Sequence, residues 1–95
     1  MQFLVTAYDG KDPEALSRRM AAREAHLEGG KKMRDAGTML FGAALLDAEG
    51  KMIGSAMLVE FESRADVDAW LARDPYTTGG VWQEVSVVPC RVSLK

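Results

Sequence analysis

The sequence predicts an α+β protein of the ferredoxin-like class, β-α-β-β-α-β: a four-stranded antiparallel sheet with two helices on one face. Three observations predict it. Four short runs rich in β-branched and aromatic residues are separated by two longer stretches with helical periodicity. The second and third runs are joined by the polar loop Asp47-Ala48-Glu49-Gly50, which closes an antiparallel hairpin. Finally, 95 residues suffice for one small core, so residues 1–95 are read as a single domain.

The first strand is Gln2 to Tyr8, ended by the turn signal Asp9-Gly10. Phe3, Val5 and Ala7 share one face and Leu4, Thr6 and Tyr8 the other, and both faces are largely apolar. Asp12-Pro13 then opens a helix, with Asp12 as N-cap and Pro13 at the first helical position, where its missing N–H costs nothing. The helix is expected to run to about Ala36, with Gly37 in the left-handed conformation beyond its end. Leu16, Met20, Arg23 and Leu27 form its inner stripe, and His26 lies at the stripe's edge on the side of Arg19, Ala22 and Met33. Gly29-Gly30 costs about 1 kcal/mol per glycine relative to alanine, so a continuous helix with a local irregularity is expected there.

Thr38 to Leu46 reads as the second strand and Met52 to Phe61 as the third; Gly42 and Gly54 mark bulges or, as the alternative, places where something approaches the backbone closely. Ser63-Arg64-Ala65-Asp66 is a loose capping box before the second helix, whose inner face is Val67, Trp70 and Leu71 and whose stop is Pro75. Val81 to Val88 is the fourth strand, bent at Pro89 and extended by Arg91 to Leu94. Both helices cover the same side of this sheet. The apolar residues on its other side need a cover, and a second copy supplies one: two sheets face to face make a dimeric α/β barrel, so a homodimer is expected.

Composition narrows the function. A net charge of −2 gives no basic footprint for nucleic acid, and Lys31-Lys32-Met33-Arg34 falls where cations complement the helix macrodipole. No apolar run approaches the roughly 18 residues of a membrane helix, and no basic-then-apolar leader opens the chain. The lone Cys90 forms no internal disulfide and reads as a small core residue; a cytoplasmic location follows as an expectation. One histidine and one cysteine make no zinc set of familiar spacing. Neither a phosphate-binding glycine loop nor a nucleophile elbow occurs, so neither metal nor cofactor is expected. The six methionines read as core filling.

The residues that could carry chemistry are His26, the only histidine, and Asp74 in Asp74-Pro75-Tyr76. A neutral imidazole is a useful general base because its reference pKa is about 6.5. A carboxylate beside it fixes the tautomer and stabilises the imidazolium formed on proton uptake. Asp74 stands before a proline that stiffens the turn, Arg23 could pair with Asp74 or hold an anionic substrate, and Tyr76 could orient a substrate through its phenol. Each has a blander reading: His26 as a helix-edge residue, Arg23 as a stem laid over the core, Asp74-Pro75 as a helix stop, Tyr76 as packing.

Arg23-x-x-His26 in the first helix, Gly37 before the second strand, Asp74-Pro75-Tyr76, Gly80-Val81 and a Val-Ser-Val-x-Pro strand together resemble the YciI-like (YCII-related) family over nearly the whole chain. Where many relatives carry Gly-Pro, this chain has Phe41-Gly42. The resemblance implies a dimeric ferredoxin-like fold and a His–Asp site in a cleft, here with catalytic roles for His26 and Asp74. One branch of the family includes a dehydrochlorinase acting on a chlorinated hydroxyhydroquinone. Two functions are expected. The first is a cofactor-independent enzyme performing proton transfer of lyase or elimination type on a small polar or phenolic molecule. The second is a non-catalytic small-molecule binding or assembly module. A cofactor-free oxygenase is suggested only by analogy of fold.

Overall fold

A computed structural model describes residues 1–95. Its elements are β1 (Gln2–Asp9), α1 (Ala15–Asp35), β2 (Met39–Leu46), β3 (Met52–Glu60), α2 (Arg64–Arg73), α3 (Pro75–Thr78) and β4 (Trp82–Cys90). The four strands form one antiparallel sheet in the order β2-β3-β1-β4, which is the ferredoxin-like arrangement expected from the sequence. No helix is long and apolar enough to cross a membrane.

The core lies between the sheet and its helices. Phe3, Val5 and Ala7 of β1 stand opposite Val59, Met57 and Ser55 of β3, and directly paired residues point to the same side. Val67 and Trp70 of α2, Tyr76 of α3 and Val81 close over this row. Leu71 packs against its margin, so the inner face of α2 is the predicted one. Ser63 caps α2, its side chain accepting from the Asp66 N–H at 3.2 Å.

The other sheet face carries a second row, set by the register: Phe41 of β2, Leu58 of β3, Leu4 of β1 and Val88 of β4. No helix of the chain covers it, and Leu4, Phe41 and Val88 are exposed by 36%, 48% and 50%. Sequence alternation anticipated this doubly apolar sheet.

Several expectations are corrected. α1 begins at Ala15, and Asp12 is not its N-cap; the Asp12 carboxylate instead accepts from the Glu14 N–H and from both terminal nitrogens of Arg18. The inward side of α1 is Ala15, Arg19, Ala22 and His26, while Met20 and Leu27 are exposed. Small and polar residues face the sheet here because a buried ion pair lies under the helix, and larger apolar side chains turn outward. α1 runs unbroken through Gly29-Gly30, where an added Cβ would meet nothing within 4 Å. It ends as expected, with Gly37 at φ +81°.

One of the two expected bulges is present. Leu45 pairs Gly54 and Leu46 pairs Met52, so the register shifts beside Gly54, whereas the other shift lies between Met39 and Phe41 and not at Gly42. Gly54 also meets the alternative expectation of close approach: a Cβ there would collide with the Ala7 carbonyl oxygen of β1. α3 is an addition, one short turn of helix started by Asp74 and Pro75. Pro89 stands inside β4 opposite Phe3, which an edge strand tolerates, and residues 91–95 form no strand. Cys90 is exposed, not core: it pairs Gln2 two residues beyond Val88, so its side chain is on the sheet face that no helix covers.

The Asp12–Arg18 clasp makes a pH prediction. Hydrogen bonding from Arg18 lowers the Asp12 carboxyl from 3.8 to about 2. A folded-state pKa below the unfolded one gives stability that is present above about pH 4 and lost as pH falls through about 2. The pair is exposed, so salt weakens it. A carbon-detected NMR titration should give Asp12 a midpoint near 2, and Arg18→Gln should return it towards the ordinary carboxylate range.

Candidate active site

α1 and the α2–α3 junction build the site together. Asp74 ends α2 and starts α3, with φ −64° and ψ 138°, an extended conformation that breaks the helix before Pro75. Its side chain turns back over the new helix, and Oδ2 accepts the Tyr76 N–H at 2.9 Å. The same oxygen lies 2.8 Å from His26 Nδ1, so residues 48 positions apart meet at hydrogen-bond distance. The expected convergence of His26 and Asp74 is present.

Ionised carboxylates only accept, so the hydrogen of this bond is on Nδ1 and the lone pair of the neutral ring is on Nε2. Asp74 is 6% exposed and His26 13%. The imidazole is held on two further sides. It stacks on Tyr76 with ring centroids 3.9 Å apart and planes 11° from parallel, and it meets Trp82 edge-on at 5.6 Å. Aromatic contact and the carboxylate leave the ring little rotational freedom.

The pocket in front of His26 has a volume of about 430 Å³ and lies between α1 and β2. His26, Arg23 and Tyr76 line it; Asp74 stands behind the imidazole and does not. Arg23 makes no ion pair with Asp74; it is an exposed residue at the pocket wall. The lining takes six consecutive residues of β2, Met39 to Ala44, whose side chains alternate between sheet faces, so the cavity reaches round the free edge of that strand. Burial raises the Tyr76 phenol above its ordinary value, with Arg19 and Arg23 pulling the other way. Tyr76 is therefore a neutral O–H at physiological pH.

A second polar group was not anticipated from the sequence. Arg19 and Asp9 form an ion pair whose side chains are each 3% exposed, with Nη1 donating to Asp9 Oδ1 at 3.0 Å and to Oδ2 at 3.2 Å. Nη2 donates to Ser55 Oγ at 2.9 Å, and the same hydroxyl accepts Trp82 Nε1–H at 3.1 Å. The Arg19 guanidinium also lies 4.7 Å from the centre of the Tyr76 ring. Through Tyr76 and Trp82 this network sets the walls against which His26 packs. Its Nε–H is buried without a partner, which in general costs about 1–3 kcal/mol unless a bound group satisfies it. The available signal was Arg19 recurring with Ala15, Ala22 and His26 along one helix face, opposite a turn aspartate read only as a turn.

A profile of the YCII-related domain matches residues 1–91. The chain is a member of the YCII-related family. It is 32% identical over 95 residues to the protein YciI of Escherichia coli O6:H1, covering 94% of this chain and 95% of that one. Among solved structures it resembles the 5-chloro-2-hydroxyhydroquinone dehydrochlorinase of Burkholderia phenoliruptrix AC1100 in complex with 2,5-dihydroxybenzoquinone. That match has a TM-score of 0.84 and 26% identity, and covers 96% of this chain and 94% of the other. A dimeric ferredoxin-like protein of unknown function from Jannaschia sp. CCS1 shares the fold, with a TM-score of 0.54, 16% identity and coverage of 96% and 98%.

Proposed function

We propose that this YCII-related chain works as one domain and as a cofactor-independent enzyme, with His26 moving a proton and Asp74 orienting it. The reaction is of lyase or elimination type, and the substrate is a small polar or phenolic molecule contacted by Arg23 and Tyr76. The observation that carries this reading is the 2.8 Å contact of Nδ1 with Asp74, which leaves Nε2 as the free basic nitrogen of a pocket-lining histidine. The likeness to a dehydrochlorinase structure supports the reaction class.

In an elimination His26 Nε2 accepts a proton from carbon or hydroxyl. The electron pair left behind forms the new π bond, and the leaving group departs from the neighbouring atom. The imidazolium so formed faces the Asp74 carboxylate and lies over the Tyr76 ring, both of which favour positive charge. The Tyr76 O–H is suited to donate to an oxygen of the substrate.

A non-catalytic binding or assembly module is the second reading, favoured by the combination of a formed pocket and an uncovered apolar sheet face. Thermal-shift screening with phenolic and carboxylic metabolites finds ligands for either. His26→Ala then separates the two: an enzyme loses turnover and keeps affinity, whereas a binding module changes in affinity alone.

The quaternary reading is a homodimer, a two-fold pair of sheets packed through the row Phe41, Leu58, Leu4 and Val88. Because Phe41 also lines the pocket, the second copy would wall its outer side. Light scattering at micromolar concentration should give twice the 10.4 kDa chain mass, and a monodisperse monomer would refute the barrel. A cytoplasmic place, with neither nucleic acid nor membrane as partner, completes the proposal and is supported by the single cysteine and the net charge of −2.

A further inference from the structure

We propose that the pocket takes a small organic carboxylate with an apolar or aromatic body, its charged end between Arg19 and Arg23. The pocket is lined by Arg19, Arg23, Lys31 and Arg34 and by no aspartate or glutamate, in a chain whose net charge is −2. A run of cations on a helix is usually a solvated face. Here the acids of α1, Glu24, Glu28 and Asp35, fall on the neighbouring side, so the positive charge is concentrated on the stripe that faces the cavity. Arg18, Arg19, Arg34 and Arg64 are engaged by carboxylates of the chain, while Arg23 and Lys31 are not.

Arg19 adds the second observation. It is buried, it lines the pocket, and its Nε–H is the one buried side-chain polar atom left without a partner. Three of its five N–H groups are committed to Asp9 and Ser55, which leaves Nε–H and one Nη2–H as donors for a ligand. Arg23 stands one turn further along the same stripe, and the planar guanidinium fork suits a carboxylate. Leu27 beside them on α1 and Met39, Leu40, Phe41 and Met57 across from them give an apolar wall, which a bare inorganic oxyanion would leave wet and an organic body would cover.

The inference rests on the proton-transfer reading in one respect: it places the reacting C–H or O–H beside His26, one turn past Arg23 and so close to the carboxylate. The anion site itself stands on the cations.

The test is calorimetry on the full chain with 2-hydroxybenzoate, phenylacetate and acetoacetate, each against its neutral amide, at low and high salt, with inorganic phosphate as control. At least one carboxylate should bind about tenfold or more tighter than its amide, more weakly at high salt, and more tightly than phosphate. Arg23→Gln, an exposed position whose fold is checked by circular dichroism, should erase the preference over the amide. Amides that bind as tightly as their acids, a preference that survives Arg23→Gln, or no binding by any of the carboxylates would overturn the proposal. Proton exchange from D₂O keeps the two readings apart. A carboxylate held through Arg23 without His26-dependent exchange supports the anion site and removes the general base. A neutral compound that exchanges with His26 dependence and binds without Arg23 does the reverse.

Discussion

His26→Ala is expected to lower turnover by about 10²–10⁴-fold, the range a positioned general base contributes, while substrate affinity stays near that of the wild type. The sharper expectation is for Asp74→Asn. A neutral amide in place of the carboxylate has two orientations. With its nitrogen towards His26 it would donate to Nδ1, move the ring hydrogen to Nε2 and block the base. That orientation also sets an NH₂ against the Tyr76 N–H, because one oxygen of Asp74 serves both partners. The Tyr76 N–H therefore pins the amide oxygen in place, the tautomer survives, and only the counter-charge to the imidazolium is lost. Turnover should fall by about 10–10²-fold, less than in His26→Ala. Nitrogen-detected NMR of the imidazole should find the hydrogen still on Nδ1. A variant with the hydrogen on Nε2 would show that the Tyr76 N–H does not control the site.

The legible parts of this molecule were those set by local rules. Strand alternation put Phe3, Val5 and Ala7 on one face and Leu4 on the other, the Ser63 cap and Gly37 marked helix ends, and both held. Asp74-Pro75 was legible as a helix stop, and the pairing of Asp74 with His26 came from the family pattern rather than from periodicity. The rotation of α1 was not legible. Its stripe was drawn through Leu16, Met20 and Leu27 on the rule that large apolar residues face inward, whereas the helix buries Arg19 and leaves Met20 and Leu27 exposed. The rule fails because a buried arginine is stable only with a fixed carboxylate and hydroxyl, and Asp9 and Ser55 lie on two other strands. A pairing between distant segments leaves no local trace. The glycines were legible only in kind: a bulge or a close approach could be read at Gly54, but not that a Cβ there would strike the backbone of β1.

The Asp9–Arg19 pair should show the largest effect on stability. Asp9→Ala leaves a guanidinium buried with only Ser55 and the Tyr76 ring for company, and removing one partner of a buried pair costs about 3–5 kcal/mol. Domains of this size have about 5–15 kcal/mol in total, so urea unfolding at fixed protein concentration should begin about 2 M earlier. Replacing both partners, as Asp9→Leu with Arg19→Met, removes the uncompensated charge and should recover most of that loss, since apolar substitutes for a buried pair are often neutral or stabilising. Recovery of stability need not restore the site. Ser55 would keep Trp82 Nε1–H, but Tyr76 would lose the cation beside its ring and the pocket its buried donor. The double variant should therefore fold as firmly as the wild type and bind carboxylates about tenfold or more weakly. If it binds as the wild type does, Arg19 serves stability alone. If instead the double variant is as unstable as Asp9→Ala, the pair is needed for packing, and the uncompensated charge is not what the single change costs.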